Sequence, residues 1–424
     1  MLFTSFISKI ESDSLVKTGD SVVAAVSGGA DSVCLLHLLY RLRMQKHFRL
    51  SCAHVNHGLR KEATKDATFV EHLCKLWDIP FFLHETDIAK EARLRKISLE
   101  LAGREIRYNF LKNLNVDVIM TAHNKNDVAE SVLLHLIRGC GLDGLCGIPS
   151  KREDGICRPL LSFSREQIEK YLLSHNLSWC VDSTNMETIY TRNKIRHNIL
   201  PQIEEINPSF VDAIARMTDI LTEENNYFRI LTKNTTAISK ENDVIFLNVN
   251  ELERMPIVLQ RRIVLQAVEN FGEVNGVLGL LNKKNGTVYA LSGGRIAEKE
   301  YDKIVIYTPE TNQIEPVKLP TKGEVIFGNY RIITGESGMA LPKKEYTVRT
   351  RVNGDIFFPE GMDGHKKIKD YFIEKKIPRR LRKQIPIITH GGEIVAVGNL
   401  RRSRNFVPTN EDVLYIKIEQ IKHV

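Results

Sequence analysis

The chain has 424 residues, enough for two or three domains, and 42% of them are hydrophobic, enough for well-packed cores. Its formal net charge of +8 favours an anionic partner. Seven cysteines without a C-x-x-C pair indicate a reducing compartment and argue against a disulfide framework or a structural zinc site. The sequence shows no signal-peptide pattern and no apolar run of about 18 residues, so it predicts a cytoplasmic protein without a membrane-spanning helix.

The first 140 residues alternate between apolar strand candidates and helical patterns. Strands are predicted at 21–26, 50–55, 80–84 and 117–122, and helices at 31–44, 61–77, 98–114 and 127–138. This alternation predicts an α/β fold with a doubly wound parallel sheet, which binds ligands beyond the carboxyl ends of its strands. The stretches VSGGADS, HVNHGLR and TAHNKNDVAES each begin where a predicted strand ends. We therefore expect them to converge on one edge of the sheet.

The stretch SGGADS, residues 27–32, joins the first strand to the helix that follows it. Its glycines let the main chain approach a ligand closely, and the helix N-terminus behind them attracts phosphate. No lysine follows the glycines, so this is not the common G-x-x-x-x-G-K-[ST] loop. Two interpretations stay open. Either Ser27 or Asp31 caps the helix, or Asp31 acts through Mg²⁺ while Ser27 and Ser32 donate hydroxyl protons to phosphate.

The stretch TAHNKNDVAES places His123, Asp127 and Glu130 at i, i+4 and i+7, which predicts one helix face. These groups would bind a divalent metal or a cationic ligand, or act as general bases. The alternative is a capped helix N-terminus whose acids complement the helix dipole.

Two further motifs supply polar groups to the same edge. In HVNHGLR, contacts of His54 and Asn56 with a nucleotide or a base are favoured over a metal pair of His54 and His57. In GREIRY, Arg104 and Arg107 lie one helical turn apart. They form either a solvated face or a pair directed at phosphate charge.

The pattern changes after about residue 205. Residues 208–240 and 251–271 look helical, a strand-rich stretch runs to about 308, residues 308–324 look like a linker, and the rest looks α+β. We expect three domains, at 1–205, 206–310 and 311–424. The segment 182–201 mixes Asp182, Asn185, Arg192 and Arg196, which suits a nucleic-acid surface or a polar domain junction.

Basic charge is concentrated in residues 366–383. This segment has nine basic and two acidic side chains, a net charge of +7. Charge runs are usually solvated faces, but this density favours contact with a phosphate backbone.

The motifs together resemble the tRNA(Ile)-lysidine synthetase family of PP-loop ATP pyrophosphatases. The resemblance rests on SGGADS, HVNHGLR, GREIRY, TAHNKNDVAES, RGCGLDGLCGI, RPLL at 158–161, RNKIRHNILP and the basic tail, in order along nearly the whole chain. Two positions depart from the family pattern. Asn124 stands where the family commonly has a second His, and Ser131 stands where it commonly has Thr.

The resemblance implies an N-terminal PP-loop domain, a mainly helical middle domain and a small α+β C-terminal domain that binds tRNA. It implies ATP and Mg²⁺ as cofactors, with adenylation of cytidine 34 in a tRNA(Ile) carrying a CAU anticodon. Free L-lysine then displaces AMP to give lysidine. A homodimer is compatible with the resemblance.

The resemblance also assigns roles to residues. The catalytic set is Asp31, Arg104, His123, Asp127 and Glu130, with Asp31 also the expected Mg²⁺ ligand. The nucleotide-binding set is Ser27, Gly28, Gly29, Ala30, Asp31, Ser32, His54 and Asn56. The substrate-binding set is Asp127, Glu130, Arg107, Arg192, Arg196, Lys366, Lys367, Arg379, Arg380 and Arg382.

Three other classes of protein are alternatives to this interpretation of the sequence. A tRNA thiolase shares the adenylation loop but usually needs paired cysteines, and no C-x-x-C exists here. An amide-forming synthetase of small metabolites does not explain the basic tail. A non-catalytic RNA-binding protein is disfavoured by the intact Asp31, Asp127 and Glu130.

Overall fold

A computed structural model describes residues 2–56, 58, 63–181, 191–309, 314–409 and 412–421. The predicted roles of His57, Asp182 and Asn185 lie outside these residues. The chain divides into two compact units, residues 1–229 and 230–424.

The first unit is built on a parallel five-stranded sheet of order β3-β2-β1-β4-β5. Its strands are β1 (Ser21–Ala25), β2 (Arg49–Asn56), β3 (Phe81–Glu85), β4 (Val118–Met120) and β5 (Ile156–Cys157). Its helices are α1 (Leu2–Ser12), α2 (Ala30–Lys46), α3 (Ala63–Leu76), α4 (Ile88–Arg95), α5 (Leu99–Asn113), α6 (Lys125–Arg138), α7 (Leu142–Leu145), α8 (Arg165–Ser174), α9 (Thr191–Lys194), α10 (Leu200–Ile206) and α11 (Phe210–Lys233). A π-helical turn spans Ile195–Ile199. The predicted doubly wound α/β sheet is confirmed.

The core of this unit lies around β1 and α2. Val22, Val23 and Ala24 are fully buried in the central strand. The predicted inward side of α2 is also confirmed, since Val33, Leu35, Leu36, Leu38 and Leu39 are fully buried. Full burial of each large aliphatic side chain contributes about 1.5–3 kcal/mol to the stability of the folded state.

The strand order reverses between β1 and β4. Side-chain hydrogen bonds fasten the starts of these strands, because Ser21 donates from its backbone N and its Oγ to Asp117 Oδ2 at 2.8 and 2.6 Å. The carboxyl ends of β1, β2 and β4 therefore lie at one edge of the sheet, as expected for the three polar motifs. Such a reversal point opens a crevice for ligands.

The second unit contains antiparallel sheets and short helices. Its strands are β6 (Ile238–Glu241), β7 (Val244–Asn248), β8 (Val288–Ala290), β9 (Ile296–Glu300), β10 (Lys303–Tyr307), β11 (Val317–Lys318), β12 (Gly323–Phe327), β13 (Tyr330–Gly335), β14 (Met339–Pro342), β15 (Thr347–Arg349), β16 (Ile356–Phe357), β17 (Lys366–Lys367), β18 (Ile387–His390), β19 (Glu393–Val397), β20 (Arg401–Arg402) and β21 (Val413–Gln420). Its helices are α12 (Val249–Glu253), α13 (Ile257–Leu265), α14 (Phe271–Gly279) and α15 (Ile368–Glu374). The sheet orders are β6-β7-β10-β9-β8, β11-β15-β18-β19-β20, β12-β13-β21-β14 and β16-β17.

The predicted helices of this region were too long. The helix predicted at 208–240 ends as α11 at Lys233, and β6 and β7 then form a hairpin whose turn places Asn242 at φ +53°. Asn tolerates this left-handed conformation better than most residues, so it ends the strand here. The helix predicted at 251–271 is divided at Pro256, which cannot donate to an intrahelical bond.

No helix in the described ranges is long and apolar enough to cross a membrane.

Candidate active site

The glycine-rich turn after β1 is held by a buried hydroxyl group. Ser32 Oγ accepts hydrogen bonds from the backbone N–H groups of Ser27 and Gly28, both at 3.2 Å. It donates to the carbonyl of Gly29 at 2.9 Å. Gly28 has φ +96°, a conformation that favours glycine. The turn is therefore preformed and braced by Ser32, whose donation to phosphate stays a prediction.

The N-terminus of α2 has no side-chain cap. Its N-cap is Gly29, Ala30 is its first residue, and no side chain of the turn bonds to the first helical N–H groups. The interpretation that Ser27 or Asp31 merely caps this helix is therefore wrong. Ser27 is exposed at the start of the turn. The helix end retains N–H groups and a positive dipole that favour an anion.

Asp31 points from α2 towards the loop after β4. Its Oδ1 accepts a hydrogen bond from Asn124 Nδ2 at 2.9 Å, across 93 positions of sequence. Burial raises the pKa of Asp31, and the negative charge of Asp127 adds to that rise. This contact joins the first and third polar motifs directly.

The predicted helix face of His123, Asp127 and Glu130 is wrong in one respect. His123 precedes α6, whose N-cap is Asn124. Asn124 Oδ1 accepts from Asp127 N at 3.0 Å, and Asn124 N donates to Asp127 Oδ2 at 2.9 Å. Asn124 therefore caps the helix and Asp127 completes the capping box, so the N-terminus of α6 is capped, as the alternative held. Its other oxygen, Oδ1, stays available for further contacts.

Two arginines neutralise the acids of α6. Arg196 donates from Nε to Glu130 Oε1 at 2.5 Å and from Nη2 to Oε2 at 3.0 Å, while Arg192 Nε reaches Oε2 at 3.0 Å. The Nη2 groups of Arg192 and Arg196 both reach Asp127 Oδ1, at 3.2 and 3.0 Å. Burial opposes the charge of Arg196, but Glu130 and Asp127 raise its pKa above the ordinary value. Each carboxylate oxygen of Asp127 and Glu130 has a hydrogen-bond partner.

His123 lies partly buried just before the start of α6. Burial lowers its pKa to about 4, while nearby Asp127 opposes that shift and the positive charge of Arg158 adds to it. Its Nδ1 lies 3.1 Å from Thr121 Oγ1. A neutral imidazole beside Asp127 has one ring nitrogen without a proton, but a pKa lowered this far makes that nitrogen a weak base near neutral pH.

Arg158 is a feature of the site that sequence reasoning missed. It directly follows β5, only 3% of its surface is exposed, and its Nη1 donates to the carbonyl of Pro149 at 2.7 Å. Within the described ranges it forms no salt bridge with a carboxylate. Burial lowers its pKa. Its position at a strand end was the available signal, but a two-residue strand is too short to predict.

Arg104 and Arg107 lie on the exposed side of α5. The guanidinium carbons of Arg104 and Arg152 lie 5.2 and 5.5 Å from the ring centre of Tyr108. These distances are those of cation–π contacts. Of these arginines, Arg107 is close enough to His123 to lower the pKa of that imidazole further.

The chain is similar to known proteins over nearly its whole length. A family described as the PP-loop domain matches residues 3–203, and one described as the TilS substrate C-terminal domain matches residues 346–418. The tRNA(Ile)-lysidine synthase of Caldanaerobacter subterraneus subsp. tengcongensis is 37% identical, covering 97% of this chain and 96% of that protein.

The chain belongs to the tRNA(Ile)-lysidine synthase family. The Clostridium tetani protein of the same name is 34% identical, covering 97% of each chain. A crystal structure of a TilS C-terminal domain is 25% identical over 26% of this chain and all of that chain. Its TM-score of 0.23 is too low to support a conclusion about the fold. As a tRNA(Ile)-lysidine synthase family member with a PP-loop domain, the chain is a ligase that uses ATP.

The polar residues of β2 brace the edge of the sheet in this family member. His54 is 4% exposed and its Nδ1 donates to the carbonyl of Val26 at 2.8 Å, while burial lowers its pKa. Asn56 Oδ1 accepts from Gly58 N at 3.0 Å, and its Nδ2 donates to Glu85 Oε1 at 3.4 Å. Contact of either side chain with a nucleotide stays a prediction.

Several arginines of the basic segment contact their own unit. Arg380 donates from Nε to Glu300 Oε1 at 3.1 Å, and Arg379 donates to the carbonyl of Gly286 at 3.3 Å. Arg382 Nε donates to the carbonyl of Ile377 at 2.8 Å, and Lys366 pairs with Glu374. The remaining basic residues of the segment are exposed: Lys367, Lys369, Lys375, Lys376 and Lys383.

Proposed function

We propose that the chain ligates free L-lysine to C2 of cytidine 34 in a tRNA(Ile) with a CAU anticodon, at the expense of ATP. One observation carries the proposal. The preformed anion-binding turn and the acid cluster meet at one sheet edge, joined by the Asn124–Asp31 hydrogen bond of 2.9 Å. Relatives more than 30% identical over nearly the whole chain bear the matching name.

Adenylation is the first step. The C2 oxygen of the cytidine attacks the α-phosphorus of ATP, a P–O bond forms, and pyrophosphate leaves with the electron pair of the broken bond. The backbone N–H groups of the glycine-rich turn and the start of α2 would hold phosphate oxygens. Arg107, whose positive charge acts on His54 and His123, and Arg104 one turn before it would offset the charge of the departing pyrophosphate.

The donor set of the site fits Mg²⁺ shared with phosphates. Among the described residues, no group of three or more His, Cys, Asp or Glu side chains is arranged to hold a metal alone. Mg²⁺ is commonly bound by one or two carboxylates together with substrate phosphates. Asp31 supplies such a carboxylate, since only its Oδ1 is hydrogen-bonded to Asn124. When bound, Mg²⁺ would neutralise phosphate charge.

Lysine transfer is the second step. The lysine ε-amine has an ordinary pKa of about 10.4 and must lose a proton before it attacks C2. Its attack forms a C–N bond, and AMP leaves with the former C2 oxygen. Asp127 and Glu130 would bind the ammonium, and His123 or one of these acids would accept the proton. Because both acids already pair with Arg192 and Arg196, the ammonium must replace a guanidinium contact.

The modified base would pair with A instead of G, so the tRNA would read AUA instead of AUG. A loop base must leave its stack to reach the turn, which is the usual way in which single-stranded RNA is read. Residues 1–205 would carry the chemistry and residues 206–310 and 311–424 the tRNA. A cytoplasmic location and a homodimer belong to the same proposal.

The test supplies purified protein with ATP, Mg²⁺, labelled lysine and a tRNA(Ile) transcript carrying CAU, with the elongator tRNA(Met) in parallel. Label in the tRNA(Ile) alone is the expected result. ATP cleavage without lysine incorporation would overturn the choice of nucleophile and make a thiolase the next hypothesis.

A second measurement assigns the roles of the acids. In Glu130→Ala we expect lysine transfer to fall far more than tRNA-dependent ATP–pyrophosphate exchange. Unchanged lysine transfer would remove Glu130 from the lysine site.

A further inference from the structure

Asn124 is almost completely buried, with 2% of its surface exposed, between the glycine-rich turn and α6. It forms three hydrogen bonds with two acids. Its Nδ2 donates to Asp31 Oδ1 at 2.9 Å, its Oδ1 accepts from Asp127 N at 3.0 Å, and its N donates to Asp127 Oδ2 at 2.9 Å. The two acids belong to different motifs, one on α2 and one on α6.

Capping of α6 does not by itself explain an asparagine here. Ser164 caps α8 with the same box, accepting from Gln167 N at 3.2 Å and donating from its own N to Gln167 Oε1 at 2.9 Å. A serine therefore suffices for this arrangement elsewhere in the first unit. Aspartate also caps helices well but has no proton to donate when ionised. An amide provides an acceptor for the helix and a donor for Asp31 at once.

The carboxylate of Asp31 depends on this donor. No other hydrogen bond to Asp31 occurs within the described ranges. The like charge of the neighbouring Asp127 repels the Asp31 carboxylate, and partial burial of the site strengthens that repulsion. The neutral amide of Asn124 bridges the two acids and occupies only Oδ1 of Asp31. The other oxygen, Oδ2, is therefore available to a ligand. Reactions of bound substrates lose large factors in rate when the reacting groups shift by about 1 Å.

We propose that Asn124 is a positioning residue that fixes the distance between Asp31 and the two acids of α6, Asp127 and Glu130. It thereby fixes the distance between the nucleotide-binding part and the lysine-binding part of the site. This inference rests on the proposed function for the identity of the two substrates. Its direct consequence is that binding of a Mg²⁺–nucleotide depends on the Asn124 amide.

Asn124→Ser separates the two tasks, because serine caps a helix but is too short to reach Asp31. Ser164→Ala is the matched control, since it removes an equivalent cap at α8. Binding of α,β-methylene-ATP would be measured by calorimetry over a series of Mg²⁺ concentrations, together with the unfolding temperature of each protein. We expect about tenfold weaker Mg²⁺-dependent binding in Asn124→Ser, the loss that corresponds to about 1.4 kcal/mol. The unfolding temperature should fall no further than in Ser164→Ala.

Equal affinity of Asn124→Ser and the unchanged protein at every Mg²⁺ concentration would overturn the inference. If Asn124→Ser unfolds far below Ser164→Ala, Asn124→Asp decides, because aspartate retains the cap and places a second charge against Asp31. If Asn124→Asp binds the Mg²⁺–nucleotide more weakly than the unchanged protein does, the positioning role is supported. If the two proteins bind it equally, the positioning role is overturned. Absence of nucleotide binding by the unchanged protein would overturn the nucleotide site itself and this inference with it.

Discussion

Arg196 holds Glu130 in a two-point contact, from Nε to Oε1 at 2.5 Å and from Nη2 to Oε2 at 3.0 Å. The Glu130 side chain is 1% exposed and that of Arg196 is 26% exposed. Arg192 offers Glu130 only one hydrogen bond, at 3.0 Å. The two arginines therefore differ in how much of the buried charge they offset.

This difference predicts an order of stability. Removing one partner of a buried ion pair is strongly destabilising, because it leaves a dehydrated charge. We expect Arg196→Ala to lower the free energy of unfolding by about 2–4 kcal/mol. Arg192→Ala should lower the free energy of unfolding less, because the two-point contact of Arg196 with Glu130 remains. Urea denaturation of both variants measures this order, and an equal loss would contradict it.

The glycines of the turn give a second comparison. Gly28 has φ +96°, and a Cβ there would lie 3.4 Å from Cys180 Sγ. Gly29 has φ −73°, and a Cβ there meets only Ser27 Oγ at 3.7 Å. We expect Gly28→Ala to lower stability by about 1 kcal/mol and Gly29→Ala to leave it nearly unchanged. Thermal unfolding distinguishes them, and equal midpoints would show that the turn tolerates a side chain at Gly28.

The half-buried His37 predicts loss of stability in acid. Burial lowers the pKa of His37 to about 4, and the nearby His175 and Arg41 add to the shift. Its Nδ1 lies 2.9 Å from Tyr171 Oη. The unfolded chain binds a proton at this histidine near pH 6.5, whereas the folded chain binds it only near pH 4. Stability from this group is therefore complete above pH 6.5 and falls as the pH drops towards 4.

His37→Gln removes the titrating group and retains an acceptor for Tyr171. We expect its urea midpoint to fall less than that of the unchanged protein between pH 7 and pH 4.5. Parallel curves for the two proteins would exclude His37 as a source of the acid sensitivity.

The basic segment predicts different effects for its lysines and its arginines. The family resemblance places Arg379, Arg380 and Arg382 in the substrate-binding set, so neutralising them would be expected to weaken tRNA binding and its salt dependence. Arg380, however, pairs with the buried Glu300, whose pKa is raised by burial. We therefore expect Arg380→Gln to lower stability more than it changes the salt dependence.

The exposed lysines should carry the salt dependence instead. Lys369, Lys376 and Lys383 are exposed and form no salt bridge with a carboxylate in the described part of the chain. Changing all three to Gln should lower the slope of log affinity against log salt by about 2–3, because each released phosphate counterion contributes about 0.7–0.9. Filter binding of tRNA at several salt concentrations measures it, and an unaltered slope would remove these lysines from the RNA surface.

Local patterns predicted the first sheet well, because strand and helix periods are properties of neighbouring residues. The strand predicted at 21–26 is β1 at Ser21–Ala25, and the helix predicted at 98–114 is α5 at Leu99–Asn113. The hairpin of β6 and β7 was missed, because its partly exposed strands follow a long amphipathic helix without a marked break.

Long-range pairing of side chains could not be predicted in the same way. The sequence predicted Asp127 and Glu130 as functional acids but not their arginine partners, which lie 62 to 69 positions away. Asn124 was noted only as a departure from a family pattern, since its contact with Asp31 appears only when β1 and β4 become neighbours. Charge and spacing identify the participants of a site, whereas the fold determines which of them meet.

The strand reversal between β1 and β4 also has a consequence for synthesis of the protein. A nascent chain carries the glycine-rich turn long before it carries β4, whose pairing with β1 closes a loop of about 95 residues between Val22 and Val118. Until that closure, Asp31 has neither its amide partner nor the acids of α6 nearby. The ribosome-bound chain should therefore keep the glycine-rich turn apart from Asn124 and the acids of α6 until β4 and α6 have emerged.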